Sequence, residues 1–371
     1  MINAKDLIST FKKKKISFFC GVPDSVLKDF IKTIENDKKL THYTTVNEGT
    51  AISTAIGHHL DTSEIPCVYL QNSGLGNAIN PLISIAHNKV YSIPLIMVIG
   101  WRGAPRQKDE PQHETKGKIT PDLLKLLGIK YILVNKKDDL TKVKIEIEKI
   151  KKKNCVLAIL IKSKTIKNLK FQKKIVLKKQ NLLTRGKFIE SLLSYIDKDS
   201  KIVSTTGYTS RELMQIRKIK NFQSGSDFYM VGGMGHASSV ALGASFRKNK
   251  IICLDGDGST LMHLGSLASN GFFGKKNFKH IMLNNDSHES VGGFKTKAKN
   301  IDFRNLVKSL NYKNYFKITS SKNYINILKK FLKLPGPSFL EVIITEGVIK
   351  NLERPKNLIK IKKEFMKKIL V

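Results

Sequence analysis

The chain has 371 residues, with 66 Lys and Arg against 30 Asp and Glu, for a formal charge of +36. That length allows two or three domains with full cores. A hydrophobic content of 41% with 25 glycines excludes a disordered polycation, and no apolar run reaches the roughly 20 residues that span a bilayer. Only eight of the basic residues are arginine, whereas phosphate and base readout favours the arginine fork. Lysine is absent between Lys39 and Lys89 and sparse between Lys201 and Lys248, where the glycine-rich stretches lie. The excess charge therefore reads as solvated helix faces and ends. Nucleic acid and membrane are not expected partners. Cys20, Cys67, Cys155 and Cys253 lie far apart in apolar runs, the pattern of reduced core thiols in a cytoplasmic protein.

The start, through Lys15, predicts an amphipathic helix. Strand-like runs follow at Ile16–Cys20, His42–Val46, Cys67–Gln71, Leu95–Ile99, Tyr131–Val134 and Val156–Ile161. Helical periods fall between them at Ser25–Ile34, Glu48–Leu60, Gly76–His87, Pro121–Leu127 and Asp139–Lys151. A Lys-rich stretch without glycine then reads as a linker over 166–183. A helix at Thr184–Ile196 opens a second series, with strands at Lys201–Ser204, Phe228–Val231, Ile251–Leu254, His280–Asn284, Tyr315–Ile318 and Ser338–Ile344. Two β/α series of similar length predict an α/β fold of two doubly wound, largely parallel-sheet domains, 1–165 and 184–371, without a middle domain. Such sheets bind ligands at the carboxyl ends of their strands.

The sharpest signal is Leu254-Asp255-Gly256-Asp257-Gly258-Ser259, followed one strand later by Leu283-Asn284-Asn285-Asp286. Gly256 and Gly258 let backbone amides approach an anion. Asp257 and Asn285 offer a carboxylate and an amide oxygen at adjacent strand ends, and hard oxygens beside a diphosphate suit Mg²⁺. Gly-Asp-Gly by itself also suits a tight turn; its pairing with Asn-Asn makes the signal specific.

These motifs resemble the diphosphate signature of thiamine-diphosphate enzymes. The resemblance implies thiamine diphosphate and Mg²⁺ as cofactors, with the metal held by Asp257, Asn285 and the Ser287 carbonyl. It places Gly256, Gly258, Ser259, Thr206 and the loop Gly233-Met234-Gly235 against the cofactor, with Met234 as the wedge that bends it. It also implies a carboxylate in the other domain. Glu48, opening a helix after the strand His42–Val46, would meet N1′ of the aminopyrimidine and promote deprotonation of thiazolium C2.

Further motifs narrow the likeness: Gly21-Val22-Pro23-Asp24-Ser25, Gln71-Asn72-Ser73-Gly74-Leu75-Gly76-Asn77, Gly100-Trp101-Arg102-Gly103, Asp109-Glu110-Pro111-Gln112-His113, Ser204-Thr205-Thr206-Gly207 and His288-Glu289-Ser290-Val291-Gly292-Gly293. Together they resemble phosphonopyruvate decarboxylases, and sulfopyruvate decarboxylases share much of the pattern. The likeness covers nearly the whole chain. It departs after Gly293, where Phe294-Lys295 stands in place of a polar Gln. The implied reaction is non-oxidative decarboxylation of a 3-phosphono- or 3-sulfo-2-oxopropanoate, a small anionic 2-oxoacid. Asp24, Gln112, His113 and His288, in strand-end loops, are the expected proton-transfer or positioning groups. Asn72, Ser73 and Arg102 are the expected substrate contacts, the arginine fork suiting a phosphonate. The resemblance further implies a homodimer or dimer of dimers with active sites between subunits. Carboligation on the same cofactor, and a basic nucleic-acid-binding module without catalysis, are the alternatives.

Overall fold

In the computed structural model, residues 1–167, 181–222, 226–247 and 249–367 are described. The chain forms two units, Met1–Lys173 with Val291–Phe294, and Lys174–Ser290 with Lys295–Val371. The linker expected over 166–183 lies mostly outside the described residues.

In the first unit, α1 (Ala4–Lys13) is capped by Asn3, whose side chain accepts from Lys5 N. There follow β1 (Phe18–Gly21), α2 (Lys28–Glu35), β2 (Thr41–Thr44), α3 (Glu48–Thr62), β3 (Cys67–Gln71) and α4 (Leu75–Pro81). A π turn over Leu82–Ala86 leads to β4 (Leu95–Trp101), α5 (Pro111–Leu126), β5 (Lys130–Val134), α6 (Asp139–Lys153) and β6 (Val156–Lys162). The six strands pair in parallel in the order β2-β1-β3-β4-β6-β5. Every residue of β4 is buried, as expected for a central strand covered on both faces.

The second unit runs α7 (Arg185–Tyr195), β7 (Lys201–Ser204), α8 (Tyr208–Ile219), β8 (Phe228–Tyr229), α9 (Ala237–Ser245), β9 (Ile251–Gly256), α10 (Asp257–Met262), α11 (Ser266–Phe273) and β10 (Phe278–Asn284). Short strands β11 (Ser287–His288) and β12 (Phe294–Lys295) precede α12 (Phe303–Ser309), β13 (Asn314–Ile318), α13 (Tyr324–Lys333), β14 (Ser338–Ile343) and α14 (Leu358–Met366). Its parallel sheet has the order β13-β14-β10-β9-β7-β8. Both sheets are thus the doubly wound kind read from the sequence. Strand order reverses between β1 and β3 in the first unit and between β7 and β9 in the second. At such switch points the connecting loops diverge and leave a crevice beyond the strand ends.

The largest departure from the periodicity is α5, which begins ten residues before the expected Pro121. Pro111 fits the first helical position, where its missing N–H costs nothing. Gly117 and Pro121 hide the helix in the sequence. Gly117 is there for contact: a Cβ on it would lie 1.8 Å from the Gly103 carbonyl oxygen. Gln112 and His113 therefore stand in the first turn of a helix, not in a loop. Phe294, at the departure from the family pattern, is buried in the apolar core of the first unit rather than offered to a ligand. Among the described residues no helix is long and apolar enough to cross a membrane.

Candidate active site

In the second unit the β9 strand delivers Asp257 to the first position of α10, and Asp257 is buried. Its Oδ2 accepts from Ser287 N at 3.2 Å and from Thr296 Oγ1 at 2.5 Å. Asp286 takes a positive φ of 57°, tolerable for a short polar side chain, which turns Ser287 back toward Asp257. Asn285 Oδ1 accepts from the same Ser287 N at 3.1 Å. The residues expected to hold a cation are therefore brought together. Burial pushes the Asp257 carboxyl up to about 6, against the hydrogen bond from Thr296. A buried carboxylate in that position is relieved by a hard cation, and the donor set of carboxylate, amide and carbonyl oxygens suits Mg²⁺. A Cβ on Gly256 would meet only Thr205 Cγ2, at 4.0 Å, so this side of the turn is bare, as a diphosphate requires. By these tests the residues fit a Mg²⁺–diphosphate group.

Ser259 joins three loops: its Oγ accepts from Thr205 Oγ1 at 2.9 Å and from Gly235 N at 3.1 Å. Thr206, expected at the cofactor, is half-buried; its neighbour Thr205 makes the bond to Ser259. Gly233 and Gly235 take positive φ, 65° and 87°, and hold half-buried Met234 between them. His288 lies against Gly258, where a Cβ would fall 2.6 Å from its Cε1, and burial lowers the imidazole to about 4. Sequence reasoning missed Thr296, and also the stacked pair His236–His263, whose ring centroids are 4.5 Å apart. Beneath the turn, Asp255 accepts from Gly256 N at 2.9 Å and from Thr260 Oγ1 at 3.3 Å.

In the first unit Glu48 opens α3 and is buried. Asn77 Nδ2 donates to its Oε2 at 2.8 Å, and a Cβ on Gly74 would fall 2.0 Å from its Oε1. Glycine at 74 is thus what admits the carboxylate. Asp24, just past β1, is fully buried; Val26 N and Leu27 N donate to Oδ2 at 2.9 and 3.1 Å. Gln71 Nε2 donates to Oδ1 at 2.6 Å, and Ser73 Oγ donates to Gln71 Oε1 at 2.7 Å. Burial raises the Asp24 carboxyl, and the bond from Gln71 opposes the rise.

Arg102 differs from expectation. Its Nε and Nη2 hold Asp109 at 2.8 and 2.5 Å, leaving only Nη1, 3.2 Å from Ser25 Oγ, outside that fork. For Asp109, burial acts upward but the bonds from Arg102 and Gly103 N prevail and hold its carboxyl low. Asn72 is also occupied: its Nδ2 donates to Arg102 O and Thr120 Oγ1, both at 2.9 Å, and its Oδ1 accepts from Arg102 N at 3.0 Å. Gln112 Oε1 and His113 Nδ1, by contrast, are buried and lack partners among the described residues. Burial, then the Arg102 charge, lowers His113 to about 4, so its imidazole is neutral near pH 7. Asp109, Gln71 and Asn77 all stand within motifs already singled out, but nothing in the spacing distinguished them from their neighbours.

Two parallel α/β units, each with a buried carboxylate at its switch point, are the architecture of the thiamine pyrophosphate enzymes. The N-terminal TPP binding domain of that class matches residues 1–142, and the C-terminal TPP binding domain matches residues 205–342. Phosphonopyruvate decarboxylase of Streptomyces hygroscopicus is 31% identical over 96% of this chain and 91% of its own length. The enzyme of that name from Streptomyces viridochromogenes is 32% identical over 96% and 92%. Sulfopyruvate decarboxylase of Methanosarcina acetivorans is 26% identical over 92% and 91%. The chain belongs to the phosphonopyruvate decarboxylase family of thiamine diphosphate enzymes.

Proposed function

We propose that this chain is a thiamine-diphosphate- and Mg²⁺-dependent decarboxylase that converts 3-phosphonopyruvate to phosphonoacetaldehyde and carbon dioxide, a step of phosphonate biosynthesis. The observation that carries the substrate is the identity of 31–32% with two phosphonopyruvate decarboxylases, against 26% with a sulfopyruvate decarboxylase over similar coverage. A fused chain does not separate the two substrates, since that sulfopyruvate enzyme also spans both halves in one chain.

Thiamine diphosphate, when bound, supplies a nucleophilic carbon and an electron sink for loss of carbon dioxide from a 2-oxoacid. The chain's own groups then divide the remaining work. Asp257, the Asn285 amide oxygen and the Ser287 carbonyl would hold Mg²⁺ and through it the diphosphate. Gly233, Met234, Gly235 and Ser259 would shape the cofactor's bed. Glu48 would hold or release a proton at its carboxylate, steadied by Asn77. His113 and His288, neutral near pH 7, are placed to accept or relay a proton, and Gln112 Oε1 to accept a hydrogen bond. The bonding of Asn72 supports a role in positioning Arg102 rather than in touching substrate. Arg102 Nη1, with Ser25 and Ser73, would meet the anionic head.

For assembly, the reading is a homodimer or dimer of dimers in which each site takes Glu48 from one subunit and Asp257 from another. Exposed Val240, Phe246, Phe272 and Phe273, on the packed helices α9 and α11 and their ends, support an apolar interface. Buried free thiols at Cys20, Cys67 and Cys253 support a cytoplasmic setting.

The test is carbon dioxide release with Mg²⁺ and thiamine diphosphate, comparing phosphonopyruvate, sulfopyruvate and pyruvate. Highest kcat/KM with phosphonopyruvate is expected; a preference for sulfopyruvate would move the chain to the second reading. Asp257→Ala is expected to lose metal-dependent cofactor binding, measured by calorimetry, and unchanged affinity would refute the diphosphate site.

A further inference from the structure

Asn285 ends in an oxygen and a nitrogen of nearly equal size, and only the oxygen can bind a cation. The choice between them is made from behind. Asn285 Nδ2 donates to Glu289 Oε2 at 3.2 Å, while Oδ1 is turned to Ser287 N. Glu289 is itself anchored on both oxygens. Arg185 Nη2 donates to Oε2 at 2.5 Å, and Gly347 N donates to Oε1 at 2.5 Å. Arg185 is buried at the start of α7, and its Nη1 donates to Glu212 Oε1 at 3.3 Å and to Gly347 O at 3.4 Å. Glu212 Oε1 also accepts from Ile349 N at 3.2 Å, so the network ties α7, α8 and the segment after β14 to the Asn285 loop.

A carboxylate paired with a guanidinium only accepts hydrogen bonds, so it can receive Asn285 only through the amide NH₂. We propose that Glu289 is a positioning residue: it fixes the Asn285 amide so that Oδ1, not Nδ2, faces the cation beside Asp257. Groups behind a metal ligand orient it in this way, and their loss typically lowers metal affinity about 10- to 100-fold. The inference rests on the reading of Asp257, Asn285 and Ser287 as the metal-holding set.

The isosteric Glu289→Gln is the informative change, because glutamine has one acceptor oxygen for the Arg185, Gly347 and Asn285 donors that the carboxylate meets with two; when Gly347 N takes that oxygen, the NH₂ turns to residue 285 and reverses its amide. The probe is Mn²⁺ in place of Mg²⁺, titrated by electron paramagnetic resonance into the full-length protein with thiamine diphosphate. Glu289→Gln is expected to weaken Mn²⁺ binding about 10- to 100-fold. In an Asn285→Asp background both ends of residue 285 are oxygens, and no orientation remains to be lost. There Glu289→Gln also removes a carboxylate–carboxylate contact, so Mn²⁺ should bind as tightly as in Asn285→Asp alone, or more tightly. A loss in the parental background with no loss in the Asn285→Asp background is therefore the expected signature. Affinity within twofold of the parent in Glu289→Gln overturns the proposal. So does an equal loss in both backgrounds, by misfolding or otherwise, because it marks Glu289 as structural support. Asp257→Ala is titrated alongside. If it keeps Mn²⁺, the metal set itself is wrong; if it loses Mn²⁺ while Glu289→Gln does not, only the positioning role fails.

Discussion

Asp257 in the second unit and Glu48 in the first are both buried carboxylates just beyond a parallel strand, yet they are kept in opposite company. Asp257 takes hydrogen bonds from Ser287 N and Thr296 Oγ1 and lies beside Asn285 and Asp286, in a neighbourhood of oxygen atoms. Among the described residues Glu48 takes one neutral donor, Asn77, and its other oxygen rests on the bare backbone of Gly74. Oxygen-rich surroundings leave a carboxylate to be completed by a cation. A neutral amide donor beside Glu48, by contrast, brings no charge to its carboxylate. On the proposed reading, one residue type would serve metal binding in one half and proton chemistry in the other, and the difference lies in its neighbours.

That contrast can be broken by mutation. The largest effect is expected from Glu48→Gln, which keeps the bond to Asn77 within reach but removes the proton site. Turnover should fall by about 10²–10⁴ while calorimetry still reads cofactor binding. Near-parental activity would place the proton chemistry elsewhere. Gly74→Ala comes next. Its Cβ would overlap Glu48 Oε1, and a displacement of about 1 Å can cost about 100-fold in rate. Here kcat should drop while Mn²⁺ affinity, assigned by the proposal to the second unit, stays unchanged; a parallel fall in both would show that the two carboxylates do not act separately.

The smallest effect concerns pH. Burial lowers both His42 and His113, in the first unit, to about 4 from an ordinary 6.5. Between those values the unfolded chain binds more protons than the folded one, so stability rises with pH through the window and is lost as pH falls from about 6.5 to 4. Urea denaturation at pH 5 and 7 checks the sign. Removing one imidazole by His42→Gln should flatten the pH dependence, and an unchanged slope would assign it to other groups.

How much of this was legible in the sequence varied between the two halves. The juxtaposition of Asp257 and Asn285 was legible because β9 and β10 are consecutive, adjacent strands, so the two residues fall at neighbouring strand ends in one short stretch of chain. The first-unit cluster draws on residues 24, 48, 71–77 and 102–113, from several strand ends. There the motifs could be marked but their partners could not be assigned. Arg102 is an expected substrate contact, yet Asp109, inside the same marked stretch, occupies most of its fork. His113 is expected in a loop because Gly117 and Pro121 interrupt the helical pattern; Gly117 is needed where α5 meets the Gly103 backbone, and the Gly117 carbonyl, which Pro121 cannot bond, accepts from Trp101 Nε1 at 2.9 Å. The charge follows the same division: Arg102, Arg185 and Arg217 each pair with an internal carboxylate, while the lysine surplus remains largely at the surface.

By itself, the sequence determined the alternation of strands and helices, the two-unit organisation and the residues at strand ends. Local periodicity and short contiguous motifs encode these directly. Only the tertiary structure decided which of those residues are already occupied and which way each polar group points. Arg185 lies 104 residues before Glu289, Gly347 lies 58 after it, and together they orient the carboxylate that holds the Asn285 amide. A hydrogen-bond donor is chosen by proximity in space, and spacing along the chain carries no record of it.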